Sequence, residues 1–224
     1  MGSLPTAKSK SYLIFLENFC NKNNIILVFD EIITGFRSEK GSVQNRFNLK
    51  PDITLIGKVL GGGFPIGAIG ITKKIRKKIN KLNRKIIFGG TFSANSYSIY
   101  AGLKVLNFIH KNKNLIKSLI KKSQKFQLKI NKFIEKYDLD AWLYRFDSMN
   151  RLVFTKKEIK SRIQRDFLER GKNSKIKYFK NFLLKNRIYY PPNGIIFLSH
   201  ASKDKSIDQI VNIFCDGLYR FFKK

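Results

Sequence analysis

The chain has 224 residues, 43% of them apolar, which is enough for one large or two small globular domains with a true core. Lysine and arginine number 45 against 15 acids, a formal charge of +30 that would suit nucleic acid, an anionic membrane or acidic substrates. No apolar run reaches membrane-spanning length, and two cysteines and two histidines without zinc spacing speak against a disulfide scaffold or metal catalysis.

The amino-terminal ten residues are polar and expected to be extended. Met1-Gly2-Ser3-Leu4-Pro5-Thr6 fits a bare myristoylation pattern, short enough to arise by chance and discounted here. Tyr12, Leu13, Phe15, Leu16, Phe19 and Cys20 recur at helical spacing, which predicts an amphipathic helix over 11–21 packed on a sheet. It carries Glu17 and Asn18 and no small-residue cleavage site, so it is not a signal peptide. After the turn Asn23-Asn24, Ile25 to Phe29 is a continuous apolar run, the pattern of a strand buried on both faces of a parallel sheet. Asp30 follows at its carboxyl end, where open α/β sheets collect their chemistry.

Residues 38–49 read as a polar loop. Arg37 before it either meets a carboxylate or is structural, the second being preferred. Ile53 to Ile56 predicts a second short strand that delivers Lys58 into the turn Gly61-Gly62-Gly63. A lysine among so much glycine and apolar surface can be partly desolvated, which frees its amine as a nucleophile able to form Schiff bases. The glycines would let the backbone approach a flat ligand. A basic helix with Ile75, Ile79 and Leu82 on one side is expected over 73–85. The glycine-rich turn around Thr91 should then lead into a helix over 96–109, with Tyr97, Tyr100, Ala101, Leu103, Val105 and Leu106 inward.

Beyond it, residues 115–134 carry a helical apolar stripe, and 140–154 a near-alternating strand pair broken around Ser148-Met149-Asn150. Arg151 is taken as an edge-strand arginine. The polar, charged stretch 156–175 is expected to hold a helix with Ile163, Phe167 and Leu168 on one side, ended by Gly171. Tyr178, Phe179, Phe182, Leu183 and Leu184 make another amphipathic helix. A short strand over 195–198 and a turn holding His200, read as structural, precede a terminal helix with Ser206 and Gln209 suited to a capping box. Cys20 and Cys215 both fall on apolar helix faces and are expected as buried thiols.

The strings FDEIITGFR, PDITLIGK, GGGFPIGA and GGTFSAN, in this order and at these spacings, resemble the class III pyridoxal-phosphate aminotransferases, most closely the glutamate-1-semialdehyde aminomutase branch. The tail NRIYYPPNGIIFLSHASKD is similar to the small domain of the same family. The resemblance implies an α/β architecture: a partial fold type I large domain over 1–109, then a small α+β domain over 110–224. It covers about the carboxyl-terminal half of a family member, without the glycine- and serine-rich phosphate turn and several strands that precede this point. It implies pyridoxal 5'-phosphate as cofactor, Lys58 as its Schiff-base residue and proton carrier, and Asp30 at the pyridine nitrogen. Ile32 would lie against the ring face and Thr91 at the phosphate, in this family usually from the other subunit of a dimer.

The expected function is therefore amino-group transfer on a small amino or oxo substrate, by a cytoplasmic homodimer when complete. Two alternatives stand beside it: a catalytically incomplete or degenerate fragment acting only with another chain, and a basic nucleic-acid-binding protein. Basic residues are spread through nearly every segment after Lys73 and mixed with Asn, Ile, Phe and Tyr, which share A/T-rich codons. Much of the charge is therefore read as base composition and solvated surface, and neither nucleic acid nor membrane is expected as a partner.

Overall fold

The computed structural model describes residues 7–82, 86, 89–91 and 93–223, and in it the chain divides into two units, Ala7–Ile116 and the residues from Lys117 on. The myristoylation-like residues 1–6, the end of the expected basic helix at 83–85, and Phe88 and Phe92 lie outside the described residues.

In the first unit, helix α1 (Ala7–Lys22) leads to strand β1 (Val28–Asp30), and helix α2 (Val43–Phe47) lies between it and strand β2 (Ile53–Gly57). Strand β3 (Gly67–Ile71) and helix α3 (Lys73–Asn80) follow, and helix α4 (Ser96–Lys111) closes the unit. The sheet order is β1-β2-β3, with β1 and β2 parallel and β2 and β3 antiparallel. Asp52 sets the register at the amino ends. Its carboxylate accepts from Leu27 N at 3.0 Å, its own N–H donates to Leu27 O at 2.9 Å, and its carbonyl accepts from Thr72 N at 3.0 Å. With the amino ends pinned there, Asp30 comes to lie opposite Leu55 and the carboxyl ends of β1 and β2 leave the sheet side by side.

This unit departs from the sequence expectations in what it buries. β1 is three residues long and buries only Phe29, while Ile25, Ile26 and Val28 are exposed. α1 starts at Ala7, so residues 7–10 are helical rather than extended, and it turns Tyr12, Phe15 and Phe19 outward. α4 buries its small residues, Ser98 and Gly102, and exposes Tyr97, Tyr100, Leu103 and Leu106. Periodicity identified these helices correctly. Which stripe is covered depends on the neighbouring elements, and no described element of this unit covers these apolar faces.

The second unit takes in most of helix α5 (Leu115–Lys136) and pairs strand β4 (Trp142–Phe146) with β5 (Met149–Val153). Helices α6 (Arg162–Glu169) and α7 (Asn173–Lys185), strand β6 (Ile195–Phe197) and helix α8 (Asp204–Lys223) complete it. Its sheet is antiparallel in the order β4-β5-β6. The apolar stripe predicted for α5 is buried as expected: Phe126, Ile130 and Ile134 pack with Leu143 and Leu152 of the sheet and Phe179, Leu183, Phe214 and Leu218 of α7 and α8. Phe179 is the hub, edge-on to Phe214 at 5.3 Å and to Phe154 at 5.6 Å between ring centroids.

Polar side chains tie α5 to the strands. Asn131 accepts from Leu143 N at 2.9 Å and donates to Leu143 O at 3.1 Å, and Asn150 donates to Ser123 Oγ at 2.8 Å. Cys20 and Cys215 are free and buried.

Three details of this unit correct the sequence reading. Arg151 lies on the central strand, not an edge, and is only 9% exposed. α6 turns Ile163 and Phe167 to solvent and buries Arg165 at 5% exposure. α8 begins at Asp204, which places Ser206 inside the helix rather than at its cap.

Candidate active site

Two parallel strands ending together give the first unit a carboxyl edge on which Asp30 and Lys58 both emerge. Asp30 is the last residue of β1. Its Oδ1 accepts from Ile32 N at 3.0 Å, which fixes the carboxylate over the start of the next turn. Lys58 is the first residue past β2 and opens a 3-10 turn, Lys58–Gly61. It has φ of 49°, a left-handed conformation that a non-glycine residue rarely adopts and that is found preferentially at functional sites. Both side chains are exposed.

Ile32 links the two. A side chain at Gly57 would come within 3.5 Å of Ile32 Cγ2, so the isoleucine lies against the backbone that presents Lys58, while its own N–H holds Asp30. Asp30, Ile32 and Lys58 are thus brought to one edge. Thr91 sits exposed in a turn ahead of α4, whose N-cap Asn95 accepts from Ser98 N at 3.0 Å, and among the described residues it makes no hydrogen bond to the other three.

The glycine turn after Lys58 serves packing rather than an open approach. A Cβ on Gly61 would lie 2.8 Å from Ile66 Cγ2, and one on Gly62, which has φ of 58°, would lie 2.8 Å from Val105 Cγ2 of α4. Gly102 of α4 in turn brings that helix against Leu60, whose carbonyl would lie 3.3 Å from a Cβ there. Gly63, with φ of 106°, is the one glycine of the triplet that faces open space. The partial desolvation expected for Lys58 is not supplied by the described elements, because its side chain is exposed although the turn after it is packed.

Glu31 was passed over in the sequence although it carries the local structure. It is 2% exposed and caps the amino end of α2, accepting from Val43 N at 3.1 Å and Gln44 N at 2.8 Å as well as from the Thr34 hydroxyl. Gln44 then accepts from Thr54 Oγ1 of β2 at 2.8 Å, so a polar chain runs from beside Asp30 to the strand that carries Lys58. The available signal was a second acid directly after Asp30, three residues before a threonine. Arg37 is half-buried, and burial lowers its pKa from the ordinary arginine value, as suits the structural reading. His200 is exposed in a turn where its carbonyl accepts from Lys122 Nζ at 3.0 Å.

Comparison with known proteins agrees with this architecture. A glutamate-1-semialdehyde 2,1-aminomutase of Methanosphaera stadtmanae is 32% identical over 228 aligned residues, covering 100% of this chain and 52% of the relative. Among solved structures, an omega-transaminase from Sphaerobacter thermophilus superposes with a TM-score of 0.85 at 21% identity, covering 95% of this chain and 48% of that one. A glutamate-1-semialdehyde-aminomutase from Pseudomonas aeruginosa in complex with PMP gives 0.82 at 15% identity over 98% and 49%. The fold is therefore part of the transaminase fold, and the chain spans about half the length of the curated relatives it matches. The profile of the family "Aminotransferase class-III" matches residues 4–145, and the chain belongs to that family.

Proposed function

We propose that these residues form part of a pyridoxal-phosphate-dependent enzyme of the glutamate-1-semialdehyde aminomutase type, which moves an amino group on a small amino or oxo substrate. The observation that carries this is the pairing of Asp30 and Lys58 on one sheet edge, joined through Ile32. When bound, pyridoxal phosphate supplies an electron sink whose strength depends on a protonated ring nitrogen. Asp30 Oδ1 is engaged by Ile32 N, so Oδ2 is the oxygen left to hold that proton. Ile32 would offer the apolar contact for a flat ring, and Lys58 Nζ would be the amine that holds the cofactor and, when free, the base that carries the proton at the substrate carbon. Thr91, exposed ahead of α4, supplies a hydroxyl for a phosphate, in a homodimer the partner subunit's cofactor. The family's soluble metabolic chemistry fits a cytoplasmic setting, and no helix among the described residues is long and apolar enough to cross a membrane.

The test is covalent trapping. The chain, mixed with a polypeptide supplying the half of the relatives that it does not match, is incubated with pyridoxal phosphate, reduced with borohydride and digested. The cofactor mass is expected on the peptide containing Lys58 and absent in Lys58→Ala. Trapping spread evenly over surface lysines, unchanged in Lys58→Ala, would refute the assignment.

A second reading, a chain that is catalytically incomplete and works only with another polypeptide, is supported by the exposed apolar faces of α1, β3 and α4. It predicts no trapping at Lys58 by the chain alone and trapping restored on mixing.

A further inference from the structure

The second unit contains a cavity of about 450 Å³ between β5, α6, α7 and the Pro192-Asn193 turn that the proposed chemistry does not use. Arg151, Arg162, Arg165, Arg170 and Lys180 line it. Arg151 reaches it from the central strand, 91% buried, with its Nε lacking any hydrogen-bond partner and no ion pair among the described residues. Burial, and after it the charge of a second buried arginine, Arg165, lower the Arg151 pKa, and the opposing pull of Tyr190, Glu169 and Asp166 offsets this only in part.

The two carboxylates in the wall do not resolve this. Asp166 pairs with Arg165 and, at 3.5 Å, with Arg162. Glu169 lies 3.8 Å from Arg165 and accepts from Phe154 N at 3.1 Å. Five cations therefore face two acids that are already engaged. The amino end of α7 adds to the imbalance. Its first residue, Asn173, lines the cavity, and its N-cap residue Lys172 makes no side-chain cap, so the positive end of the helix dipole lies at the cavity wall.

We propose that this cavity binds the phosphate group of a small phosphorylated molecule. A planar carboxylate is satisfied by one arginine fork. Here donors come from a strand, two helices and the connection between those helices, which fits a tetrahedral dianion with several acceptor oxygens. The proposal is independent of the cofactor reading, since none of these residues belongs to the unit that holds Asp30 and Lys58.

The experiment is thermal unfolding of the 224-residue chain with inorganic phosphate, against sodium acetate and chloride at matched ionic strength, in wild type and Arg151→Met. Phosphate alone is expected to raise the wild-type midpoint by roughly 4–8 °C near saturation. Arg151→Met is expected to lose that rise while matching or exceeding wild type in phosphate-free buffer, because an uncompensated buried charge has been removed. An equal phosphate rise in Arg151→Met would overturn the proposal, as would acetate acting as well as phosphate, or no phosphate effect on wild type. Should Arg151→Met fail to fold, Arg170→Gln and Lys180→Gln, at the rim, are each expected to halve the rise or more, and an undiminished rise in both overturns it.

Discussion

Neighbouring carboxylates divide the work beside the sheet edge. Glu31 is consumed by structure, accepting two backbone amides of α2 and a hydroxyl, whereas Asp30 next to it keeps one oxygen unused. Glu31→Ala would leave buried donors without acceptors, and urea unfolding is expected to show a loss of about 3 kcal/mol. A loss below about 1 kcal/mol would mean that water replaces the carboxylate. In the second unit, burial alone would push Asp140 upward, but hydrogen bonds from Lys172 Nζ at 2.9 Å and Lys156 N at 2.7 Å, with the charges of both lysines, hold it below its ordinary 3.8. Its folded-state pKa is depressed, so its contribution to stability is present above 3.8 and is lost as pH falls through the folded value. Unfolding midpoints taken from about pH 5 to pH 3 should therefore fall less steeply in Asp140→Asn than in wild type. Identical slopes would show that the clip contributes nothing. The Cys215 thiol, pushed up to about 11 by burial, stays protonated and is no candidate nucleophile.

Between elements, close approach is bought with glycine, and the two units use it differently. In the first, Gly62 and Gly102 let α4 settle on the turn that presents Lys58, so the lysine's position depends on a helix far along the chain. In the second, Gly217 of α8 faces α7, where a Cβ would lie 2.8 Å from Phe182 Cδ1 and 3.1 Å from Phe179 Cε2. Alanine at 217 gains about 1 kcal/mol of helix propensity. Overpacking against a fully buried ring costs about 1–3 kcal/mol. Gly217→Ala is therefore expected to be destabilising on balance, measured as a lower urea midpoint with an unchanged slope. A higher midpoint would show that the rings shift without cost.

Across the whole molecule, apolar surface is distributed unevenly. The second unit encloses a continuous aromatic and aliphatic core. The first leaves Tyr12, Phe15, Ile69, Tyr97, Tyr100 and Leu103 each more than half exposed. Faces of this kind mark interaction surfaces. The native chain is expected to enhance the fluorescence of a hydrophobic dye, and a polypeptide supplying the remaining half of the relatives should suppress it. Dye binding that such a partner leaves unchanged would show that those faces are not where it docks. Much of the fold was legible along the chain because helical period and strand alternation are local properties: α5, α7 and the β4–β5 pair follow directly from apolar spacing. The candidate residues were legible too, since Asp30 and Lys58 each close an apolar run. Burial was not legible, because it depends on what lies across from a side chain rather than on its neighbours in sequence. That is why Arg151 and Arg165 turned inward while Phe167 and Tyr97 turned out. The sequence by itself determined the chemistry available at positions 30, 32 and 58. Only the tertiary structure decided that a parallel register sets those residues on one edge, that Glu31 is spent on a helix terminus, and that five cations converge on one cavity. Pairing register and the closing of a cavity arise between segments far apart in the chain, which no local pattern encodes.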